Sequence, residues 1–395
     1  MKAFKYGAIA LSILALTACG GDKQQAQSGT TGGDTSVAGE APKRPECIAP
    51  AKPGGGFDLT CKLAQSGLQD LGLLDKPMRV TYMPGGVGAV AYNKIVANDR
   101  KNGDAIVAFS TGSILNLSQG KFGQFTEKDV KWLAAVGTDY GMVAVNANSP
   151  YKTLGDLVDA LKKDPKSVSF GAGGSVGGQD WMQTALLAKA AGIDPNTMGY
   201  VAMEGGGEAV TAVLGNHIQV VSAGIAEVMP HVKAGKLRVL AVFSAERLEG
   251  EGFKDIPTAK EQGFDIEWPV IRGYYMAPEA SDASYNWWKG QFDKMLADPK
   301  FAELRTNREL LPFAMTGDEL TKYVYEQTEE LRALSAEFNL VEGGAAAPKA
   351  EAPAEASKPA EATTEATAEV KPEETKAEDK PAEEKPADAP AEEKK

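Results

Sequence analysis

The sequence predicts an α/β fold in which parallel sheets are covered by helices. Two observations support this: strand-like and helix-like runs alternate along the chain, and glycine-rich turns join several of them. Candidate strands are residues 47–50, 79–83, 105–110, 142–146, 167–171, 199–203, 218–222 and 238–243. Candidate helices are residues 58–71, 89–98, 153–162, 180–191, 208–214 and 227–234, then 283–296, 299–307 and 316–338 in a mostly helical C-terminal third.

The N-terminus has the pattern of an export signal. Lys2 and Lys5 precede an apolar run over residues 8–16, which is too short to span a bilayer as a helix. The run ends at LTACG, which resembles a bacterial lipoprotein cleavage box with Cys19 as the lipidated first mature residue. We therefore expect residues 1–18 to be a lipoprotein signal peptide. The alternative is an ordinary secretory signal with a chance cysteine.

Two segments outside the candidate fold have the composition of disordered chain. Residues 19–44 are rich in small and polar residues and predict a flexible tether. Residues 343–395 are almost wholly Ala, Pro, Glu, Lys, Asp and Thr, so they predict a disordered tail. After Gly344 the chain has 14 acidic and 8 basic residues, about half of the net charge of −12. The absence of a basic stripe argues against nucleic acid as a partner.

The chain has three cysteines, Cys19, Cys47 and Cys61. If Cys19 is lipidated, an even pair remains, and outside the cytoplasm such a pair can persist as a disulfide. A loop of this length contributes about 3 kcal/mol in the chain-entropy model. We predict the disulfide because Cys47 falls in the first candidate strand and Cys61 in the helix that follows. Two buried free thiols are the alternative.

Three glycine-rich turns mark steps from a candidate strand to a candidate helix. They are residues 53–58 (PGGGFD), 84–88 (PGGVG) and 171–178 (GAGGSVGG). In parallel α/β sheets such turns lie at the carboxyl edge of the strands, where ligands bind. Glycines let backbone N–H groups approach a ligand, and the next helix begins with unpaired N–H groups and a partial positive charge. The turns therefore predict an anion site that needs no lysine or arginine.

Residue sets typical of catalysis are missing from the sequence. Residues 86–91 (GVGAVA) match a dinucleotide fingerprint only weakly, because the next strand ends without the acidic residue that would hold a ribose. The two histidines, His217 and His231, have no partners at metal spacing and are interpreted as surface residues. Ser175 has no plausible base after it, and no Gly-x-Ser-x-Gly elbow exists. We expect no enzyme activity, no metal and no cofactor.

Six motifs, in order and at matching spacing, resemble one known family. They are residues 47–58, 82–88, 170–181, 204–209, 230–238 and 256–258. The chain from about 45 to 338 is similar to the substrate-binding proteins of tripartite tricarboxylate transporters. That family implies a two-lobed, type II-like periplasmic binding protein, in which each lobe is a mainly parallel sheet flanked by helices. It places residues 45–140 plus 265–342 in lobe 1 and residues 141–264 in lobe 2, with the ligand cleft between them.

The resemblance also implies a set of ligand-binding positions. Asp58 has the alternative role of a helix N-cap. Asp180 and Glu204 depart from the family pattern, and two acids there would repel a second carboxylate unless they face away or the ligand carries a donor or cation. Arg272 is a candidate for a bidentate carboxylate contact, with a surface arginine as the alternative. The implied positions are Gly55, Gly56, Phe57, Asp58, Gly86, Val87, Ser110, Gly174, Ser175, Gly178, Asp180 and Arg272.

The resemblance predicts an extracytoplasmic solute-binding lipoprotein. We expect it to capture a small di- or tricarboxylate for the permease subunits of a tripartite tricarboxylate-type transporter. It would act as a monomer in the periplasm, lipid-anchored to a bacterial membrane. A ligand-sensing lipoprotein that feeds a signalling receptor is the alternative, and an extracellular hydrolase is disfavoured by the missing catalytic set.

Overall fold

One long strand connects two β-sheets in this protein. The computed structural model describes residues 39–341. The strands in this range are β1 (Glu46–Ala49), β2 (Arg79–Tyr82), β3 (Ala105–Ser110), β4 (Lys131–Asn146), β5 (Ser169–Gly173), β6 (Gly199–Met203), β7 (Val220–Gly224), β8 (Leu237–Val242), β9 (Pro269–Met276) and β10 (Met315–Thr316). The α-helices are α1 (Gly56–Asp70), α2 (Ala89–Ala97), α3 (Thr111–Ser118), α4 (Leu154–Lys163), α5 (Gln179–Ala190), α6 (Gly206–Leu214), α7 (Ile225–Lys233), α8 (Asp282–Ala297), α9 (Pro299–Thr306) and α10 (Gly317–Glu337).

The two sheets use different halves of β4. In the first sheet, β1 lies between β2 and β3 with parallel pairing, and β9 runs antiparallel to both β3 and β4. In the second sheet, β5 lies between β6 and β7 with parallel pairing, and the second half of β4 runs antiparallel to β7 and β8. The α/β alternation is therefore confirmed, with antiparallel strands added to each sheet where the chain passes from one to the other.

Local sequence explains why these elements form. All six residues of β3 (AIVAFS) are buried, as expected for a strand covered on both faces. Helix α4 has a capping box, in which Thr153 and Asp156 each accept a hydrogen bond from the other's backbone N–H. Its buried side chains recur at helical spacing, at Leu154, Leu157 and Leu161. Periodicity and capping together fix the start and the buried face of this helix.

A disulfide links the first strand to the first helix. Cys47 of β1 and Cys61 of α1 are bonded, with their Cα atoms 5.6 Å apart. Both cysteines are fully buried in the larger hydrophobic cluster, while a second cluster fills the space around β7 and α7. The predicted disulfide is confirmed. It fixes α1, whose N-terminus reaches the site described below, to β1, which lies between β2 and β3 in the first sheet.

Some predictions differ from the structure or fall outside it. Strand β4 begins at Lys131 rather than at residue 142, and neither β9 nor α3 was predicted. The signal peptide, Cys19, most of the tether and the tail at 343–395 lie outside the described residues. In the part that is described, no helix is both long and apolar enough to cross a membrane. The residue bounds of the two lobes stay predictions.

Candidate functional site

A pocket lies between loops that follow strands of both sheets. Loops after β1, β2 and β3 supply one side, and loops after β5, β6 and β7 supply the other, while Arg272 reaches in from β9. The cavity is narrow, about 40 Å³, which is room for roughly three water molecules. Its lining residues are Ala51, Gly55, Gly56, Phe57, Val87, Ser110, Gly112, Gly173, Gln179, Asp180, Glu204, Gly205, Gly206, Glu227 and Arg272.

Five helices begin at this pocket. The first residues of α1, α5 and α6 line it directly, α3 contributes its cap and second residue, and α7 contributes Glu227 from its first turn. The first N–H groups of a helix have no partner within the helix, and they give that end a partial positive charge of about half a unit. The convergence of these ends makes the pocket a favourable place for a carboxylate.

Arg272 is buried and ion-paired on its inner side. Its Nε and Nη2 donate to the two carboxylate oxygens of Asp139 at 3.2 Å, and Nη2 also donates to Glu227 Oε1 at 3.2 Å. Burial acts to lower the pKa of Arg272, but the two carboxylates outweigh burial and raise it. Burial raises the pKa of Asp139 and of Glu227, and the guanidinium opposes both shifts. The surface-arginine alternative is therefore wrong for Arg272.

The Nη1 side of Arg272 faces the start of α1. A Cβ added to Gly56 would lie 1.9 Å from Nη1, so only glycine fits beside the guanidinium at this position. The hydrogen bonds described for Arg272 use Nε and Nη2. Nη1 and the first amides of α1 therefore lie on the same side of the pocket, where they can bind one carboxylate together.

Asp180 is a buried acid in the first turn of α5, on the far side of the pocket. It accepts hydrogen bonds from the Gly173 backbone N–H at 3.1 Å and from the side-chain amides of Gln179 and Gln183 at 3.1 and 3.3 Å. Burial and, next, the nearby charge of Glu227 raise the pKa of Asp180 to about 7, against the hydrogen bonds that lower it. Asp180 therefore faces the pocket as a group that titrates close to neutral pH.

Val87 holds a strained backbone conformation at the pocket wall. Its φ of 48° and ψ of 51° lie in the left-handed region, which a β-branched residue rarely adopts. Such strain costs about 1–3 kcal/mol and is found at ligand clamps. The Val87 side chain crosses to the second sheet, where a Cβ added to Gly174 would lie 2.5 Å from Val87 Cγ2. Glycine at 174, with φ 95°, permits this contact.

Asp58 organises the first loop and does not line the pocket. Its buried carboxylate accepts hydrogen bonds from the Gly54 N–H at 2.8 Å, the Tyr82 hydroxyl at 2.9 Å and Lys62 Nζ at 2.8 Å. The residue at the N-cap position is Gly55, which makes no side-chain cap bond. Asp58 thus ties the turn before α1 to the helix and to β2, which fixes the direction of the α1 N-terminus.

The structure brings together seven of the twelve predicted positions. Those that line the pocket are Gly55, Gly56, Phe57, Val87, Ser110, Asp180 and Arg272. Asp58, Gly86, Gly174, Ser175 and Gly178 do not line it. Glu204, whose direction was open, faces the pocket. Sequence reasoning missed Ala51, Gly112, Gly173, Gln179, Gly205, Gly206 and Glu227.

The missed residues follow the same rule as those that were found. Glu227 stands in the first turn of the helix after β7, and Gly205 and Gly206 stand directly before and at the start of α6. Each connection from a strand to a helix at this edge contributes at least one residue to the pocket. Had every such connection been considered, and not only the glycine-rich ones, Glu227 would have been predicted. His217 is exposed and His231 is half-buried, and neither lines the pocket. Within residues 39–341, no group of three or more His, Cys, Asp or Glu side chains could hold a metal ion.

Sequence comparison identifies one matching family model. The model described as "Tripartite tricarboxylate transporter family receptor" matches residues 74–340. A UPF0065 protein of Cupriavidus necator is 26% identical over 215 residues, which are 54% of this chain and 63% of that protein. BugT of Bordetella pertussis is 27% identical over 249 residues, which are 61% of this chain and 72% of BugT. The match thus spans somewhat less than two thirds of the Cupriavidus relative.

Solved structures share the fold. The periplasmic binding protein BugD has a TM-score of 0.68 at 19% identity, with 76% of this chain and 99% of BugD covered. MatC of Rhodopseudomonas palustris, solved with bound malate, has a TM-score of 0.64 at 17% identity, with 76% of this chain and 99% of MatC covered. A periplasmic transporter structure has a TM-score of 0.67 at 24% identity, with 75% of this chain and 97% of that protein covered. The two-lobed periplasmic binding protein fold is therefore confirmed.

Proposed function

The chain belongs to the tripartite tricarboxylate transporter receptor family, and from that premise we propose that it captures a small organic carboxylate for a membrane transporter. The family is a family of substrate receptors, not of enzymes. The observation on which the proposal depends is the pocket where five helix N-termini meet beside Arg272. Unpaired amides and one guanidinium are the groups that bind a carboxylate without chemistry.

Two proteins of the same fold support a carboxylate ligand. MatC was solved with malate, and another Rhodopseudomonas palustris protein, with a TM-score of 0.65 at 14% identity, was solved with adipate. At such identities the likeness concerns the fold, so the choice of acid for this chain depends on its own pocket. The expectation of a di- or tricarboxylate stays a prediction.

We expect ligand capture to work by closure of the cleft. Loops from the two sheets meet across the pocket: Lys52 Nζ lies 2.6 Å from Glu208 Oε1, and a Cβ added to Gly207 would lie 2.8 Å from the Gly54 carbonyl carbon. The narrow cavity and these contacts are typical of a closed cleft. A ligand that binds both sides would favour this state over an open one by its differential contacts.

The location of the protein is also part of the proposal. The family implies the periplasm, and the Cys47–Cys61 disulfide suits an oxidising compartment. We propose that Cys19 is lipidated and anchors the protein to a bacterial membrane, where the closed form docks on permease subunits. Metabolic labelling with a lipid precursor, compared between the wild type and Cys19→Ala, tests the anchor.

Thermal unfolding of the full chain tests carboxylate capture. A true ligand at about one hundred times its Kd stabilises the protein by about 2.7 kcal/mol and raises the melting temperature with concentration. We expect at least one acid from a panel of malate, succinate, adipate, citrate, glutamate and aspartate to do so. Stabilisation only by sugars or by polyamines would contradict the proposal.

A glycine variant tests the closure step. Gly207→Ala places a methyl group against the Gly54 backbone without entering the pocket, so it should hold the cleft open and weaken binding about tenfold or more. Gly155→Ala is the matched control, because its Cβ meets only the Thr153 hydroxyl at 3.6 Å. Equal affinity of the two variants, measured by isothermal titration, would rule out closure at this contact.

A further inference from the structure

Helix α10 reaches from the first sheet to the second without entering the pocket. It begins at Gly317, directly after β10, and β10 pairs with the first half of β4 in the first sheet. Along its length it buries Leu320, Val324 and Leu331 in the larger hydrophobic cluster. Its last residues lie beside α5 and the loop before α5, which belong to the side of the second sheet. None of residues 335–341 lines the pocket.

A Schellman turn ends α10 and directs the chain onto that loop. Asn339 has a φ of 56°, in the left-handed region that Asn tolerates better than most residues. The Leu340 N–H donates to the Ser335 carbonyl at 3.0 Å and the Asn339 N–H to the Ala336 carbonyl at 3.1 Å, the two hydrogen bonds of this motif. Leu340 then rests on the loop, because a Cβ added to Gly177 would lie 2.9 Å from Leu340 Cδ2.

Phe338 packs against the first turn of α5. Its ring meets the Trp181 ring edge-to-face, with the ring centroids 6.1 Å apart, and Lys189 Nζ lies 5.2 Å from the centre of the Phe338 ring. Lys189 also pairs with Glu337 at 2.7 Å. Trp181 is buried and follows directly after Asp180, which lines the pocket. The end of α10 therefore supports the turn of α5 from which pocket residues project.

Gln119 joins three segments at the same place. It follows α3, whose N-cap Ser110 lines the pocket on the side of the first sheet. The fully buried Gln119 side chain donates from Nε2 to the Gly177 carbonyl at 2.8 Å and to Ser335 Oγ at 3.0 Å. Because α3 and the Gly177 loop lie on opposite sides of the cleft, separation of the sides breaks the bond between them. A buried amide that loses such a partner costs free energy.

The contacts of α10 with the second side differ in strength. The Lys189–Glu337 pair is more than half exposed, so water and salt screen it and it contributes little. The aromatic contact of Phe338 and the buried bonds of Gln119 are shielded from water and contribute more. The body of α10 is held by the first sheet, so these stronger contacts form only while the second side stays close.

We propose that residues 335–341 form a latch, called here the C-terminal latch, which holds the cleft closed from outside the pocket. This inference rests on the closure step of the proposed function. A ligand that binds the closed state gains affinity in proportion to the population of that state, and it leaves when the cleft opens. The latch therefore sets how long the ligand stays bound. Phe338 and Gln119 are positioning residues, since they act through α5 and its loop and do not touch the ligand.

Binding kinetics of a matched pair of variants test the latch. Phe338→Ala removes the ring that meets Trp181, so affinity should fall about three- to tenfold, mainly through faster dissociation. Phe313→Ala is the control, because it removes a half-buried ring that meets Tyr323 of α10 edge-to-face just before β10. Phe338→Tyr keeps the ring and should keep wild-type affinity. Isothermal titration and stopped-flow dissociation of the full chain use the acid of the panel above that raises its melting temperature most. Equal affinity of the two alanine variants would overturn the latch.

Hydrogen exchange of the unliganded full chain tests the latch without any ligand. Amides of residues 177–183 should exchange about threefold faster or more in Phe338→Ala than in the wild type, because the start of α5 loses its support. Phe313→Ala should leave these amides unchanged. Wild-type exchange at residues 177–183 in Phe338→Ala would overturn the latch while carboxylate capture stands. If no acid of the panel binds the wild type, carboxylate capture fails, and the exchange rates still decide whether α10 holds the second side.

Discussion

The two sides of the cleft are built from similar strand-to-helix steps but differ in charge. Loops of the first sheet present Gly55, Gly56, Phe57, Val87 and Ser110, none of which has an ionisable side chain. Loops of the second sheet present three acids, Asp180, Glu204 and Glu227. The same supersecondary step thus gives a neutral amide surface on one side and an acidic surface on the other.

This difference separates two tasks that one pocket must perform. The first side offers backbone amides and helix N-termini, which hold any carboxylate in the same way. The second side offers side chains, whose charge and donors decide what the rest of the ligand must be. Arg272 lies where the sides meet, because β9 belongs to the first sheet and Glu227 follows β7 of the second. Selectivity is therefore expected to change with substitutions on the second side.

The largest expected effect comes from removing the charge that joins the two sides. Arg272→Met leaves Asp139 and Glu227 buried without their cation, which should cost about 3–5 kcal/mol of unfolding free energy. Urea unfolding measures this loss. Adding Asp139→Asn and Glu227→Gln to the same chain should recover part of the stability. A loss below about 1 kcal/mol for Arg272→Met alone would mean that the two sides are not coupled through this residue.

The next effect is a pH dependence that belongs to the second side. Because burial and, next, the charge of Glu227 raise the pKa of Asp180 to about 7, well above the usual range of an aspartate, the folded state binds this proton more strongly than the unfolded chain does. Stability contributed by protonated Asp180 is therefore present at pH 4 and is lost as pH rises towards 7, by on the order of 4 kcal/mol. Hydrogen bonds from Gln179 and from the Gly173 amide act to lower the pKa of Asp180, as does the charge of Arg272, but they do not cancel its rise.

Asp180→Asn should remove this slope. Urea unfolding at pH 4 and pH 8 should find the variant more stable than the wild type at pH 8 and similar to it at pH 4. Parallel stability profiles of the two proteins between these pH values would show that Asp180 does not titrate in this range, and the electrostatic contrast between the two sides would then be weaker than described.

The smallest effect concerns the ion pair at the mouth of the cleft. Lys52 and Glu208 are both partly exposed, so their attraction is screened by water and salt. Lys52→Met should raise the ligand dissociation rate by about threefold or less, and high salt should abolish the difference from the wild type. Stopped-flow dissociation measures it. A much larger, salt-independent effect would place Lys52 in ligand binding rather than in closure.

Much of the fold followed from local patterns in the sequence. Strands β3 and β6 have the predicted bounds, because short apolar runs with turns on each side leave few alternatives. The first half of β4 was missed because it contains Gly137, Thr138 and Asp139, which are typical of turns, and because its pairing with β9 is irregular there. Helix α3 was missed because its small polar residues favour loops, although Ser110 caps it.

Only the parts of the site that lie in connections from a strand to a helix could be predicted from the sequence. Glycine turns before helices identified the first side of the cleft and part of the second. The ion pairs of Arg272 were not predictable, because Asp139 and Glu227 are 133 and 45 residues away in the sequence. Their contact depends on how β4, β7 and β9 pair, and no local pattern specifies that pairing. The sequence had already indicated Asp180 and Glu204 as acids of the second side, whereas Glu227 and its contact with Arg272 became visible only in the folded chain.

The most direct test of the account is to observe the amides at the start of α1 while a ligand binds. With ¹⁵N-glycine labelling of the full chain, titration with the tightest-binding acid should shift the N–H signals of Gly55, Gly56 and Gly206, assigned through single substitutions. Glycines outside the pocket, such as Gly155, should keep their positions. Saturation of binding with these three signals unchanged would contradict the claim that helix N-termini of the two sheets form one carboxylate site.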